Sequence, residues 1–492
     1  MKKEAFSIQR SAFSISSSRS YDFLWLSIAL LVLISLAFLL PLSPQDYWWY
    51  LRLGQDVAST GSIPTVDTYS FTRAGAPFFY QSWLAALVLW KTFQAGGFAL
   101  TFFLRAVIIA VTYSLLWIMV RRVGVGPRLA SLLIVLAALA GSNNWSFRPQ
   151  LFIYPIFVLV LYILIKWTQG EKRGLWALPV LSMLWVNLHG SFPLFFILGG
   201  AAFLFGKGDK KQLVFALGIS AVALFINPHG VYVLGYVKDM LSAPSNQLFS
   251  VEWLPMVNRG WQANLFYIWL LLFAPLSALA PRKLTLLEWI YFIGFGWLAL
   301  SGIRYVIWFI FIMVVLTATL LAEWDARYLE SPVEKEKPAI NIFAACLLLL
   351  IPFALLPGFR DSWWPDAPRA YDSANPIEAT EWLAAHPELQ GPLWSDFSHA
   401  SYLIFALPSR PVWIDTRFEL YPPAQWEKYI AIASASQEWQ TLLDEENIQL
   451  AMLSTGGEPL LITAMQRSSQ WCENYHDEDT FIFSRSVSGA CP

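Results

Sequence analysis

The sequence predicts an α-helical polytopic membrane protein of about eleven spans, carrying a small C-terminal α/β domain outside the cytoplasm. Three observations support this. Of 492 residues, 57% are hydrophobic and only 14% charged, with a mean hydropathy of +0.50. Soluble domains run about 45–50% apolar and roughly 25% charged. The apolar residues gather in runs near the roughly 20 residues that a span requires, and from about residue 360 the composition turns to that of a soluble domain. The net charge of −1 offers no basic surface and excludes nucleic acid as a partner. The 25 Trp and 36 Phe suit lipid contact and interfacial aromatic belts.

In chain order, residues 1–21 form a Ser-rich cytoplasmic tail with Lys2, Lys3, Arg10 and Arg19. The apolar run 22–42 follows without a small-residue cleavage site, as expected of an uncleaved anchor. Further runs lie at 98–120, 128–143, 150–167, 174–189, 191–206, 212–227, 262–281, 285–301, 304–323 and 339–357. Segment 82–95 is apolar but short and ends in Gly96-Gly97, which predicts a helix lying along the membrane surface. The membrane domain is thus 22–357, with a first outer loop at 43–97.

Charge sets the orientation. With the N-terminus in the cytoplasm, inner segments hold 18 Lys and Arg and outer loops only seven: Arg52, Arg73, Lys91, Arg148, Lys238, Arg259 and Arg304. This positive-inside bias turns the first loop outward, and an odd number of spans sends residues 358–492 outward as well. The chain is therefore expected in the cytoplasmic (plasma) membrane among its lipids. In the outer domain, helices are predicted at 376–386, 399–407, 424–433, 437–445 and 458–467, with extended segments at 392–395, 411–415, 448–453, 471–475 and 480–485. Cys346 reads as a small buried apolar residue of the last span. Cys472 and Cys491 share the outer domain, where either a disulfide or a disordered tail at 486–492 suits the sequence.

Polar residues concentrate on the outer side. Asp46, followed by Trp48, Trp49 and Tyr50, lies where bilayer meets water, a depth at which a carboxylate is costly without a partner or a task. Asp46 reads either as a catalyst or as an interfacial cap within an aromatic belt. Asp67 heads a Thr/Ser-rich turn and suits a cap. Arg148, His189-Gly190, His229-Gly230, Glu252 and Arg304 stand at span ends, either as site residues or as polar termini and snorkelling cations. Trp363-Trp364 suits an interfacial anchor. Asp415 and Arg417 suit either a structural ion pair or an acceptor groove. Zinc-type spacings, HExxH and GxSxG elbows are absent from the sequence.

Taken together, Asp46-x-Trp48-Trp49-Tyr50-Leu51-x-x-Gly54, Gly61-x-Ile63-Pro64-x-x-Asp67-x-x-Ser70-x-Thr72 and Trp83-Leu84 resemble the first outer loop of bacterial polytopic glycosyltransferases of the GT-C fold. These include the protein-mannosyltransferase and aminoarabinose-transferase kinds. The resemblance continues through Arg148-Pro149-Gln150, Asn187-x-His189-Gly190, Asn227-Pro228-x-Gly230, Glu252-Trp253, Arg304 and Asp415-x-Arg417-x-x-x-Tyr421. It implies an enzyme transferring a hexosyl or pentosyl group from a polyprenyl-phosphate-linked sugar to an acceptor at the outer membrane face. Asp46 then matches the catalytic carboxylate, as general base or as a metal holder. Arg304, with Arg148 and His189, would hold the lipid phosphate by bidentate hydrogen bonding. Trp49, Tyr50 and His229 complete the substrate-binding set.

Two departures matter. Tyr50 stands where relatives often have His, and 143–150 lacks the second acid that many of them place there. A metal-free, inverting single displacement is therefore favoured over a divalent metal, with Glu252 or Asp67 as second acid. Two other classes stay open. A transporter or flippase for a lipid-linked sugar should show mid-membrane charges and related halves, whereas here Arg105 and Glu288 are the nearest to mid-span. A non-catalytic membrane subunit whose outer domain binds a partner also fits. The acceptor, whether protein, glycan or lipid, is not written in the sequence.

Overall fold

The computed structural model describes residues 20–329, 337–486 and 491. Most of the predicted tail, with its four cations, lies outside them, as do Lys335 and most of the tail at 486–492. All eleven predicted apolar runs are helical. Six helices are long and apolar enough to cross a membrane: Ser20–Leu39, Trp83–Arg122, Pro149–Thr168, Trp261–Leu279, Ile303–Tyr328 and Pro338–Leu355. The other five runs give shorter helices, such as Pro193–Phe205 and Leu286–Ser301. Outward faces carry bare Leu271, Leu272, Leu279, Trp297 and Phe343. Such a continuous apolar exterior suits a multi-pass membrane protein.

The helix Val306–Trp324 is the central pillar, buried along nearly all its length against the helices Pro127–Gly141 and Leu286–Ser301. The helix Pro338–Leu350 is peripheral, with Ala345 its one buried residue. Cys346 is accordingly exposed on it, not buried as expected. The expected break after 82–95 falls at Gly96 and Gly97; Gly97 has φ 57°, which favours glycine, and divides a 40-residue helix into two arms. The first arm packs on the helix Tyr47–Thr60. There Gly54 lies so close to the Ala86 carbonyl that a Cβ would collide with it.

Charges in the helical region are satisfied locally. Arg105 donates to the Ala37 carbonyl (Nε, 2.9 Å) and to Leu40 O (2.5 Å), and Arg360 to Phe38 O at 3.3 Å. These carbonyls end the first helix and lack partners within it. Glu288 closes a capping box with Thr285 at a helix start, so it is not a mid-span charge.

In the C-terminal domain, β1 (Leu393–Ser395) and β2 (Leu450–Ser454) run parallel, and β4 (Thr480–Arg485) and β3 (Trp471–His476) continue the sheet antiparallel, in the order β1-β2-β4-β3. The five helices appear near their expected positions. Segment 411–415, expected as a strand, contributes only bridges from Val412 to Ser70 and Leu393. Its backbone is instead taken up by the first loop, with Phe71 N donating to Val412 O and Val412 N to Tyr69 O. Cys472 and Cys491 form a disulfide.

The first loop is itself largely helical and sits under this domain. Trp48 and Trp49 are 2% and 6% exposed, so they are core residues and not an interfacial belt. Trp48 Nε1 donates to Asn375 Oδ1 at 2.8 Å, and Ser401 Oγ donates to Gln45 O at 2.6 Å. By contrast, Trp363 and Trp364 are exposed, as an anchor would be.

Candidate active site

A cavity of about 350 Å³ opens where the helical region meets the C-terminal domain. Distant stretches meet there, among them the start of the Tyr47–Thr60 helix, the turns at Arg148, His189, Glu252-Trp253 and Arg304, and the loop 416–419. Asp46, Trp49, Tyr50, Arg148, His189, Glu252 and Arg304 all line it, as the sequence reading grouped them. Asp67 and His229 do not.

Asp46 occupies the N-cap position of its helix, yet its side chain makes no cap hydrogen bond. Its carboxylate turns into the cavity, 3.2 Å from Arg148 Nε, and accepts from Trp49 Nε1 at 3.4 Å. A carboxylate at a helix N-terminus is favoured by the helix dipole. Trp49 stacks on Tyr50 at 3.8 Å and walls this corner.

Arg148 was expected to bind phosphate, but it lies between two acids. Its Nε faces Asp46, and its Nη1 is ion-paired with Glu252. The residue before a proline is driven to extended backbone, and Arg148 obeys (φ −125°, ψ 156°), which swings its side chain away from the following helix. Desolvation pushes the Glu252 carboxyl up, but Arg148 and Arg304 outweigh it and hold the group below its ordinary range.

Arg304 is the cation left over. Its guanidinium lies over the Trp253 ring at 4.6 Å and forms no ion pair among the described residues. Its backbone carbonyl accepts from Gln150 Nε2 at 3.2 Å, which couples the two arginine turns. His189 Nδ1 accepts from Ser191 N at 3.1 Å, which leaves its proton on Nε2. Gly190 packs against the Tyr236 ring so closely that a side chain there would displace the cavity wall.

The remaining polar residues are structural. Asp67 is 1% exposed; it accepts from Tyr69 N and Ser70 N and pairs with Arg417 at 2.6 Å. It is a turn residue and is sealed from the cavity, so it is no second acid. Arg417 also holds Asp415 (Nη2–Oδ2, 2.6 Å) and donates to Tyr80 Oη at 3.1 Å. His229 stacks on Phe79 at 3.8 Å behind the wall.

Sequence reading missed Glu419, which lines the cavity from the C-terminal domain. It lies inside the Asp415–Tyr421 stretch, but nothing in that stretch marks it as facing a cavity. The cavity walls desolvate Glu419 and raise its carboxyl above the ordinary range. Asp46 adds to the rise, while Arg304 and Arg417 oppose it.

No family model matches the sequence, and no curated protein matches it either. Solved structures do. The oligosaccharyltransferase of Archaeoglobus fulgidus in its apo form is similar over 95% of this chain and 75% of its own, with a TM-score of 0.55 at 12% identity. The same organism's oligosaccharyltransferase AglB, in complex with an inhibitory peptide and a dolichol-phosphate, is similar over 95% and 74%, with a TM-score of 0.53 at 11% identity. Arabinofuranosyltransferase AftD from Mycobacteria is similar over 94% of this chain but 41% of its own, with a TM-score of 0.57 at 15% identity. The fold is that of GT-C glycosyltransferases.

Proposed function

We propose that this chain is a membrane glycosyltransferase that moves a sugar from a polyprenyl-phosphate-linked donor to an acceptor, at the outer face of the cytoplasmic membrane. The observation that carries this reading is the pairing, in one cavity, of a cation without an ion pair (Arg304) and fixed carboxylates (Asp46 and Glu252) on a GT-C scaffold. One neighbour with this fold binds a dolichol-phosphate, which supports a lipid phosphate as the ligand.

Arg304 is suited to the donor phosphate, because a guanidinium forks onto two oxygens and neutralises the charge that grows as the phosphate leaves. Asp46 stands beside the developing positive charge of the sugar and orients the reacting centre with Arg148. The acceptor oxygen attacks the anomeric carbon as the carbon–phosphate-oxygen bond breaks, with inversion. A carboxylate of the cavity takes the acceptor's proton, and Asp46, Glu252 and Glu419 all face it.

The side chains do not fit a divalent cation. Arg148 stands between the two acids where such an ion would sit. Among the described residues, no three His, Cys, Asp or Glu side chains gather as ligands. Transfer is therefore derived without a metal.

Two outcomes test the reading. In cells carrying Asp46→Asn, mass analysis should find the lipid-linked sugar accumulating and one envelope glycan depleted, short of its complete loss in a deletion strain. A deletion that leaves both pools unchanged contradicts the proposal. Arg304→Gln should weaken undecaprenyl phosphate binding by about 1.5–3 kcal/mol, roughly ten- to hundredfold in Kd, as expected for the loss of a charge-assisted contact. Titration of the purified protein with this lipid measures it.

A further inference from the structure

The cavity's three carboxylates are not equivalent in what they can accept. Asp46 has one oxygen on Arg148 and the other on Trp49 Nε1, and Glu252 is ion-paired with Arg148 through Oε1. Arg148 and Arg304 hold the Glu252 carboxyl below its ordinary range and make it a weak proton acceptor, while both Asp46 oxygens are already occupied. Glu419 forms no ion pair among the described residues, its carboxylate accepts from its own backbone N–H, and its side chain is exposed to the cavity.

We propose that Glu419 is the base that takes the proton from the incoming acceptor hydroxyl, an assignment that rests on the glycosyl-transfer reading above. The hydroxyl oxygen bonds to the anomeric carbon, and the bond from that carbon to the phosphate oxygen breaks. The polyprenyl phosphate leaves with the electron pair, and the hydroxyl proton passes to Glu419. Acceptor and base thus enter from the C-terminal domain's side, and the donor phosphate is held by Arg304 on the membrane side.

The environment of Glu419 fits this task. The groups that act on it are Asp46 from the first loop, Arg304 from the membrane turn and Arg417 from its own loop. Tyr50 and Tyr236 feel its charge in turn. Desolvation and Asp46 raise its proton affinity, whereas Arg148 and Arg304 hold Glu252 low. Carboxyls pushed apart in this way commonly mark distinct acid–base roles. The loop itself is fixed, since Arg417 locks it to Asp67 and Tyr80.

The test uses membranes of a deletion strain carrying the full chain, supplied with lipid-linked sugars extracted from the same cells. Mass spectrometry follows their consumption from about pH 5 to 9, bracketing the range of a raised carboxyl. Undecaprenyl phosphate binding is measured in parallel. A base must be deprotonated to act, so the wild-type rate should rise with pH. Glu419→Gln should be slower by about a hundredfold or more, should lose that rise, and should keep lipid binding. Glu419→Asp and Asp46→Asn should be slower but keep the rise.

The assignment is overturned if Glu419→Gln retains the pH rise or if Asp46→Asn abolishes it. It is also overturned if both Glu419 variants lose lipid binding together with turnover, which would mark a structural role. A wild-type protein that neither consumes lipid-linked sugar nor binds undecaprenyl phosphate defeats the glycosyl-transfer reading itself. An active wild type with an unaffected Glu419→Gln variant defeats only the base.

Discussion

Arg417→Met is expected to lower stability more than any other single change in the polar network, by about 3–5 kcal/mol, the cost of removing one partner from a sealed ion pair. The Arg417 side chain is 1% exposed, and Asp67 and Asp415 are each 0% exposed. Without the guanidinium, two carboxylates remain in the interior with no cation between them. Tyr421 Oη, which donates to Asp415 at 2.6 Å, and the amides on Asp67 cannot supply a charge. A second measurement separates this cause from lost packing. Arg417→Met combined with Asp67→Asn and Asp415→Asn should be more stable than Arg417→Met alone, because no unpaired charge is left behind. Thermal unfolding of the purified proteins decides it. Equal midpoints for the single and triple variants would show that packing over Tyr69 and Phe78, 5.1 and 5.2 Å from the guanidinium, outweighs charge.

The second large effect is expected at Arg148, and it should reach activity as well as stability. Arg148→Met leaves Asp46 and Glu252 as like charges sharing one corner. The Arg148 and Asp46 side chains are each 20% exposed and Glu252 is 37% exposed. Solvent therefore reduces the loss to about 1–3 kcal/mol, below that at Arg417. The pH dependence carries the sign. Arg148 holds the Glu252 carboxyl below its usual range, so its stabilisation is complete above about pH 4.3, the unfolded value. It is lost as pH falls through the lowered folded value. In Arg148→Met this acid-induced loss should shrink or reverse, since without the cation Glu252 takes a proton more readily in the folded protein and protonation then relieves the like-charge repulsion. Adding Glu252→Gln should restore stability without restoring transfer. Arg148→Lys should recover only part of the loss, because one ammonium nitrogen cannot occupy the positions of both Nε and Nη1.

Much of the helical architecture was legible because it depends on local composition. Each apolar run is long relative to its polar connections, and hydropathy alone locates it. Most of the candidate residues at span ends also converge, Asp67 and His229 excepted, since helices of one bundle bring their ends to common faces. What was not legible depends on contacts between distant segments. The sequence left an interfacial belt open for Trp48 and Trp49 because the domain that covers them lies more than 300 residues away, at Asn375 and Ser401. Segment 411–415 has strand composition, but the first loop takes its backbone partners. The pairing of Arg148 with two acids was not legible, because those acids come from other loops, near 46 and 252. Glu419 was passed over for the same reason. Nothing local distinguishes a carboxylate on a domain surface from one that docking turns into a cavity.

The central claim is that this cavity holds a lipid-linked phosphate at Arg304, facing Asp46 and Glu419. Determining the structure of the protein in a lipid nanodisc with undecaprenyl phosphate tests this most directly. The account predicts phosphate density within hydrogen-bond reach of the Arg304 guanidinium, about 2.7–2.9 Å for such charged contacts. Arg148 should remain between Asp46 and Glu252 with the lipid bound. Phosphate density elsewhere on the protein, with the cavity closed to it, would contradict the account.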